Sequence, residues 1–201
     1  MMQRYDFLQS IASEARDALV VTTGGAAREW WALRPSDGNL KTRTLGLVSS
    51  VACGLALGLP HRKLIAIDGD GAFLMNLCGL PTIAWQSPRN LLHLVFDNQC
   101  YEASGATPTA TAAVADIVGL ARSAGYRHAC WAKTPADFHG EFINGWKRNE
   151  LSLIAVKCSI GQPKDLPRIE VDEVENKYRF IRHLEQIENK RILGAADHSR
   201  A

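Results

Sequence analysis

Two apolar runs in this chain each end on a tip rich in oxygen ligands, and that repetition restricts what it can fold into. Ile65-Ala66-Ile67 leads into Asp68-Gly69-Asp70-Gly71. A second run, ending at Phe96, leads into Asp97-Asn98-Gln99-Cys100, with Asn98 standing 28 positions after Asp70. A hard divalent cation such as Mg²⁺ takes oxygen ligands in a tight octahedron and keeps waters and phosphates in the remaining positions. Asp70 offers a carboxylate, Asn98 an amide oxygen and Cys100 a backbone carbonyl. Gly69 and Gly71 let a diphosphate approach the backbone closely. The constellation points to a metal-bridged diphosphate cofactor.

The rest of the chain alternates between two periodicities. Residues 18–23, 63–67, 91–96, 126–132 and 151–157 read as strands. Helices are expected over 5–17, 26–33, 45–59 (closed by Pro60), 71–86 with a break near Gly79, 113–124, 135–149 and a charged stretch from about 171 to 190. Residues 35–39 and 99–111 read as loops, 161–167 as a Pro-containing connector, and 194–201 as a frayed tail. Strands alternating with helices predict one three-layer α/β/α domain over residues 1–201, with a mainly parallel sheet covered on both faces. In such sheets ligands bind beyond the carboxyl ends of the strands. Gly24, Asp70 and Asn98 each follow the end of a predicted strand, so one crevice can collect all three.

Composition excludes several classes. Lys+Arg 23 against Asp+Glu 21 leaves a net charge of +2, with no basic stripe for nucleic acid. The cysteines (Cys53, Cys78, Cys100, Cys130, Cys158) are odd in number and lack CxxC spacing, which argues against a disulfide framework and against zinc or iron–sulfur ligation. Reduced thiols and a cytoplasmic location are expected. The first residues are charged and amphipathic, unlike a signal peptide, and the apolar stretch near 45–59 is too short to span a membrane.

Each motif has a plainer reading. Gly-Asp-Gly alone is an ordinary turn, and Thr22-Thr23-Gly24-Gly25 a plain strand–turn–helix. Asn98 can cap a turn, Leu45 can be one more core leucine, and Glu102 a solvated loop carboxylate. The thiol of Cys100 has no neighbouring histidine in the sequence to activate it. The six histidines form no HExxH or triad pattern, and Trp30-Trp31 suits packing better than nucleic-acid stacking.

Gly69-Asp70-Gly71, followed at this spacing by an Asn pair position, resembles the signature of the thiamine-diphosphate enzymes. The likeness extends to Thr22-Thr23-Gly24, to the Gly-rich helix start near 45, to residues 69–76 (GDGAFLMN) and to residues 97–109 (DNQCYEASGATPT). Over most of its length the chain is similar to the cofactor-binding half of the 3-sulfopyruvate and 3-phosphonopyruvate decarboxylases. The resemblance implies thiamine diphosphate with Mg²⁺, the metal held by Asp70, Asn98 and the Cys100 carbonyl. It puts Thr23, Gly24, Gly69, Gly71 and Ala72 beside the diphosphate, with Gly71 and Ala72 the better candidates. Leu45 would prop the thiamine in its bent shape, while the Arg43 carbonyl and the Leu45 amide bind the aminopyrimidine. Tyr101, Glu102 and Ser104 would lie beside thiazolium and substrate, Glu102 as a candidate catalytic residue. Two departures stand out: the first position of the Asn pair is Asp97, and the Gln usual before Pro108 is Thr107.

The resemblance also implies a missing part. The glutamate that activates the aminopyrimidine sits, in these enzymes, on a separate pyrimidine-binding domain. One α/β domain accounts for this chain, so a partner (alpha) subunit is expected to carry that glutamate in a hetero-oligomer. The implied reaction is decarboxylation of 3-sulfopyruvate to sulfoacetaldehyde and CO₂. The alternatives are a phosphonopyruvate decarboxylase subunit, a carboligase of the acetolactate-synthase type, and a non-catalytic regulatory subunit.

Overall fold

A computed structural model describes residues 1–169 and 171–193. The expected tail at 194–201 lies outside them. Six parallel strands form the main sheet: β1 (Leu19–Thr23), β2 (Asn39–Thr42), β3 (Leu64–Gly69), β4 (Leu91–Asp97), and two later strands, β7 (His128–Ala132) and β8 (Ser152–Lys157). Between β4 and β7 lies a small antiparallel hairpin of β5 (Cys100–Tyr101) and β6 (Thr107–Pro108). The helices are α1 (Arg4–Ile11), α2 (Gly24–Leu33), α3 (Val48–Gly58), α4 (Asp70–Leu74), α5 (Gly79–Gln86), α6 (Ile117–Ser123), α7 (Pro135–Arg148) and α8 (Glu173–Glu188).

The sheet order is β2-β1-β3-β4-β8-β7. From β1 the chain moves outward to β2, then crosses back to β3 and on to β4. Connections therefore leave β1 and β3 in opposite directions, which opens a crevice at the carboxyl ends of these neighbours. Side-chain alternation sends Val20, Ile65, Ile67, Leu94, Phe96, Ile154 and Val156 to one face, where Phe7, Leu8 and Ile11 of α1, Trp30 of α2 and Phe138 and Phe142 of α7 cover them. Leu19, Val21, Leu64, Ala66, Val95, Leu153 and Ala155 point the other way, under α3, α5, α6 and α8. The strands are buried on both sides, as a parallel sheet between two helical layers must be.

The structure corrects several sequence expectations. β2 was not expected: its polar run Asn39-Leu40-Lys41-Thr42 is a parallel edge strand paired to β1. The helix expected from 45 begins only at Val48, because Gly46 takes a left-handed φ of 85° that breaks helical geometry. The expected helix over 113–124 is α6, which starts at Ile117 under an Asp116 cap that accepts from Val118 N and Gly119 N. The helical region over 71–86 divides into α4 and α5, as the break near Gly79 implied.

Candidate functional site

The crevice lies where β1, β3 and β4 end. Its walls are Arg4, Thr23, Gly24, Gly25, Ala26, Leu45, Gly69, Asp70, Gly71, Ala72, Phe96, Asn98, Cys100, Tyr101, Glu102, Ala103 and Ser104. Eleven of the twelve cofactor-binding candidates named from sequence are therefore brought together. Arg43 is the exception: its side chain is exposed and pairs with Glu173 at 3.6 Å.

Alternation along β3 separates its two aspartates. Asp68 turns into the core, where its Oδ2 lies 3.3 Å from Nε2 of the fully buried His93. Asp70, past the strand end, turns to the crevice and is also buried. Its Oδ2 accepts from Thr109 Oγ1 at 2.6 Å and lies 3.2 Å from Thr111 Oγ1. Both hydroxyls fall on one oxygen, which leaves Oδ1 without a side-chain partner among the described residues. Burial pushes the Asp70 carboxyl above its ordinary range, the Thr109 bond opposes that, and the nearby Asp97 charge adds to it.

Asn98 sits beyond the end of β4. Its Oδ1 accepts from the Cys100 amide at 3.1 Å, closing the turn, and its Nδ2 donates to Glu102 Oε2 at 3.0 Å. The other oxygen of Glu102 accepts from the Gly161 amide at 2.9 Å, so this carboxylate ties the metal-loop candidate to the connector after β8. Burial raises the Cys100 thiol above its ordinary pKa, which disfavours the thiolate a nucleophile needs.

Thr23 lines the crevice with its hydroxyl engaged elsewhere: it donates to the Thr42 carbonyl at 2.8 Å, stitching β1 to β2. What β1 contributes to the crevice is Gly24, left-handed at φ 57°, and the bare backbone of α2's first turn. At Gly71 an added Cβ would come within 2.6 Å of the Tyr101 ring, so the backbone there is already in close contact and only glycine fits. Leu45, released from the helix by Gly46, reaches the wall of the crevice.

These features bring the donor groups singled out from the sequence to one crevice. The donor set is one carboxylate, one amide and one carbonyl on adjacent strand tips, beside glycine-lined helix starts. Oxygen donors of this kind match a hard cation. Among the described residues no three His, Cys, Asp or Glu side chains gather into a metal cluster; the expected set draws instead on amide and carbonyl oxygens.

Sequence reasoning missed several members of the site. Arg4 and Glu29 are 25 residues apart and had no local signal. Thr111 and Gly161 depended on chain folding back from distant segments, although the threonines at 107, 109 and 111 are visible as a cluster just after the metal loop. The histidines act structurally where described. His93 is core, while His61, His128 and His139 pair with surface glutamates. Trp30 is buried, donating to Asn39 Oδ1 at 3.0 Å.

Comparison with known proteins agrees with this geometry. Residues 26–156 match the model of the thiamine pyrophosphate enzyme C-terminal TPP binding domain. The chain is 33% identical over 186 residues to the sulfopyruvate decarboxylase subunit beta of Methanothermobacter thermautotrophicus, a match covering 92% of this chain and 96% of that one. It is 40% identical over 124 residues to a phosphonopyruvate decarboxylase of Streptomyces viridochromogenes, covering 60% of this chain and 31% of that protein. Among solved structures, benzoylformate decarboxylase from Polynucleobacter necessarius has the same fold, with a TM-score of 0.65 at 19% identity over 83% of this chain. The present chain spans about a third of that structure's length (34%). A buried carboxylate and an amide on adjacent strand tips, glycine-lined helix starts beside them, and a relative matched almost end to end lead to one conclusion: the chain belongs to the thiamine-diphosphate-dependent sulfopyruvate and phosphonopyruvate decarboxylase family.

Proposed function

We propose that this chain is the cofactor-binding subunit of a thiamine-diphosphate- and Mg²⁺-dependent 2-oxoacid decarboxylase. Its substrate is 3-sulfopyruvate, converted to sulfoacetaldehyde and CO₂, and a pyrimidine-binding partner supplies the activating glutamate. The observation that carries this reading is the meeting of Asp70, Asn98 and Cys100 with Gly24 and Gly71 around one crevice. Asp70 Oδ1, Asn98 Oδ1 and the Cys100 carbonyl would hold the metal, and the amides of Gly71 and Ala72 the diphosphate. Leu45 would support the thiamine ring from its place in the crevice lining. The cofactor supplies the electron sink that makes loss of CO₂ from a 2-oxoacid feasible. The chain's task is to fix that group, exclude water through the Tyr101–Ser104 segment, and set the charge around it. Glu102 would affect protonation next to the bound substrate once released from Asn98 and Gly161, which engage its two oxygens.

The test is calorimetric titration with thiamine diphosphate, with and without Mg²⁺, on the chain alone and with its partner. Binding should require the metal. Asp70→Ala should weaken it about a hundredfold or more, equivalent to about 2.7 kcal/mol; unchanged affinity in that variant would remove the metal assignment. Substrate is settled by product assay on 3-sulfopyruvate, 3-phosphonopyruvate and pyruvate. The similarity to a phosphonopyruvate enzyme supports a second reading, in which phosphonoacetaldehyde forms faster than sulfoacetaldehyde.

A further inference from the structure

Among the residues lining the crevice, Arg4 is the one cation, in a wall that also carries the carboxylates of Asp70 and Glu102. It opens α1, a helix that packs against the far layer of the core, and its side chain is only 8% exposed. Nε donates to Glu29 Oε2 at 2.7 Å and Nη2 to Oε1 at 3.0 Å. Glu29 itself is fully buried. The fork-on-fork pairing fixes the plane of the guanidinium, and no described residue accepts from Nη1.

The position of this head group is specific. A Cβ built on Gly25 would lie 2.9 Å from Arg4 Nη2 and 2.1 Å from Gln162 Nε2. Two side-chain donors therefore press against the first turn of α2, whose leading amides have no partner within the helix. A buried ion pair is a weak source of stability compared with apolar residues of the same volume. Its presence at the wall of a crevice that must receive a polyanion has a functional explanation. Both donors meet at Gly25: Arg4 from within the crevice that also holds Gly24 and Asp70, and Gln162 from the neighbouring depression lined by Gly24, Gly25 and Arg28.

Resting on the cofactor reading above, we propose that Arg4 donates a hydrogen bond to a phosphate oxygen of the bound diphosphate, and that Glu29 is the positioning residue that holds Arg4 in orientation. Arg4 supplies positive charge that the metal alone does not. Glu29 keeps the guanidinium from collapsing onto Glu102 when the crevice is empty of anions.

The test uses the full chain with excess Mg²⁺, titrated calorimetrically with thiamine diphosphate, inorganic pyrophosphate and thiamine. The main variant is the pair Arg4→Met with Glu29→Met, which removes both charges together and leaves neither buried alone. Arg4→Gln with Glu29→Gln serves the same purpose if the methionine pair fails to fold, as judged by circular dichroism. Either folded pair should lose about 10- to 100-fold in affinity for pyrophosphate and thiamine diphosphate, while thiamine binding stays unchanged. Glu29→Gln alone should give an intermediate loss. Unchanged pyrophosphate affinity in a folded pair would overturn the assignment. So would intact pyrophosphate affinity combined with a raised KM for a dianionic 2-oxoacid, since Arg4 would then serve the substrate's second anion. Failure of the unaltered chain to bind thiamine diphosphate even together with its partner is a different result, which brings down the cofactor reading itself.

Discussion

Asp97 is completely buried one residue before the amide ligand candidate, at the position where related sequences were expected to hold asparagine. Lys157, at the end of the adjacent strand β8, supplies the compensation: its Nζ lies 2.5 Å from Asp97 Oδ2. Asp97 Oδ1 then accepts from the Gln99 amide at 3.0 Å and from Thr111 Oγ1 at 2.8 Å. Thr109 in turn donates to Asp70 Oδ2, and Thr111 Oγ1 lies 3.2 Å from the same oxygen. The departure from the expected pattern is thus one end of a chain of contacts that runs from a surface cation to the metal-ligand candidate. Removing one charge of such a pair costs more than removing both. Lys157→Met should destabilise the chain by about 2 kcal/mol, a value reduced from the fully buried case because Lys157 is 39% exposed. Adding Asp97→Asn should recover at least half of that, since an amide still accepts from Thr111. Urea unfolding of the two variants decides it; a double variant less stable than Lys157→Met would show that the carboxylate is needed for some reason other than this pair.

At the level of elements, the edge strand β2 shows where structure departs from what its residues suggest. Asn176 of α8 is nearly buried and donates through Nδ2 to the Asn39 carbonyl at 2.8 Å, while its Oδ1 accepts from the Lys41 amide at 2.8 Å. One side-chain amide thereby takes the hydrogen-bonding place of a further strand and closes the edge to other chains. Asn176→Ala leaves an amide and a carbonyl unpaired at a covered edge, each worth about 1–3 kcal/mol. A loss of about 2–4 kcal/mol is expected in denaturant unfolding, and a change below 0.5 kcal/mol would deny β2 this support. The same contact explains why β2 was illegible. Asn39-Leu40-Lys41-Thr42 has no apolar period, and its partner lies more than 130 residues away. By contrast β1, β3, β4 and β8 are buried on both faces and appear in sequence as apolar runs, and α7 and α8 are marked by capping residues Thr134 and Asp172. The crevice divides in the same way. Asp70, Asn98 and their glycines were readable because they follow strand ends directly, whereas Arg4 and Glu29 meet only through the packing of α1 on α2.

For the whole molecule, the sheet has a chemically furnished end and an opposite end made of helix termini. At the latter, α5 and α7 close on left-handed Ser87 and Asn149, with Trp85 83% exposed nearby and Arg89, Arg127 and Arg148 around it. Helix carboxyl ends carry partial negative charge, which accounts for arginines there without a ligand. At the crevice end, Leu47 and Met75 are 43% and 54% exposed on neighbouring turns, since Gly46 lies against the Met75 Cβ. Val114, three residues past Thr111, is 89% exposed. Apolar residues left bare beside a cofactor crevice suit a protein contact that closes it, and the proposed glutamate-bearing partner must reach the thiamine from that side. Leu47→Asp with Met75→Asp should therefore weaken association with the partner by at least about tenfold, because two carboxylates would have to be desolvated in the contact. Circular dichroism and thermal unfolding of the isolated chain should be unaffected, as both residues are at the surface. Trp85→Ser, at the other end of the sheet, should leave association unchanged. Sedimentation of the mixed subunits gives the answer: a loss of assembly caused by Trp85→Ser and not by the Leu47 and Met75 changes would place the partner on the wrong end of the sheet.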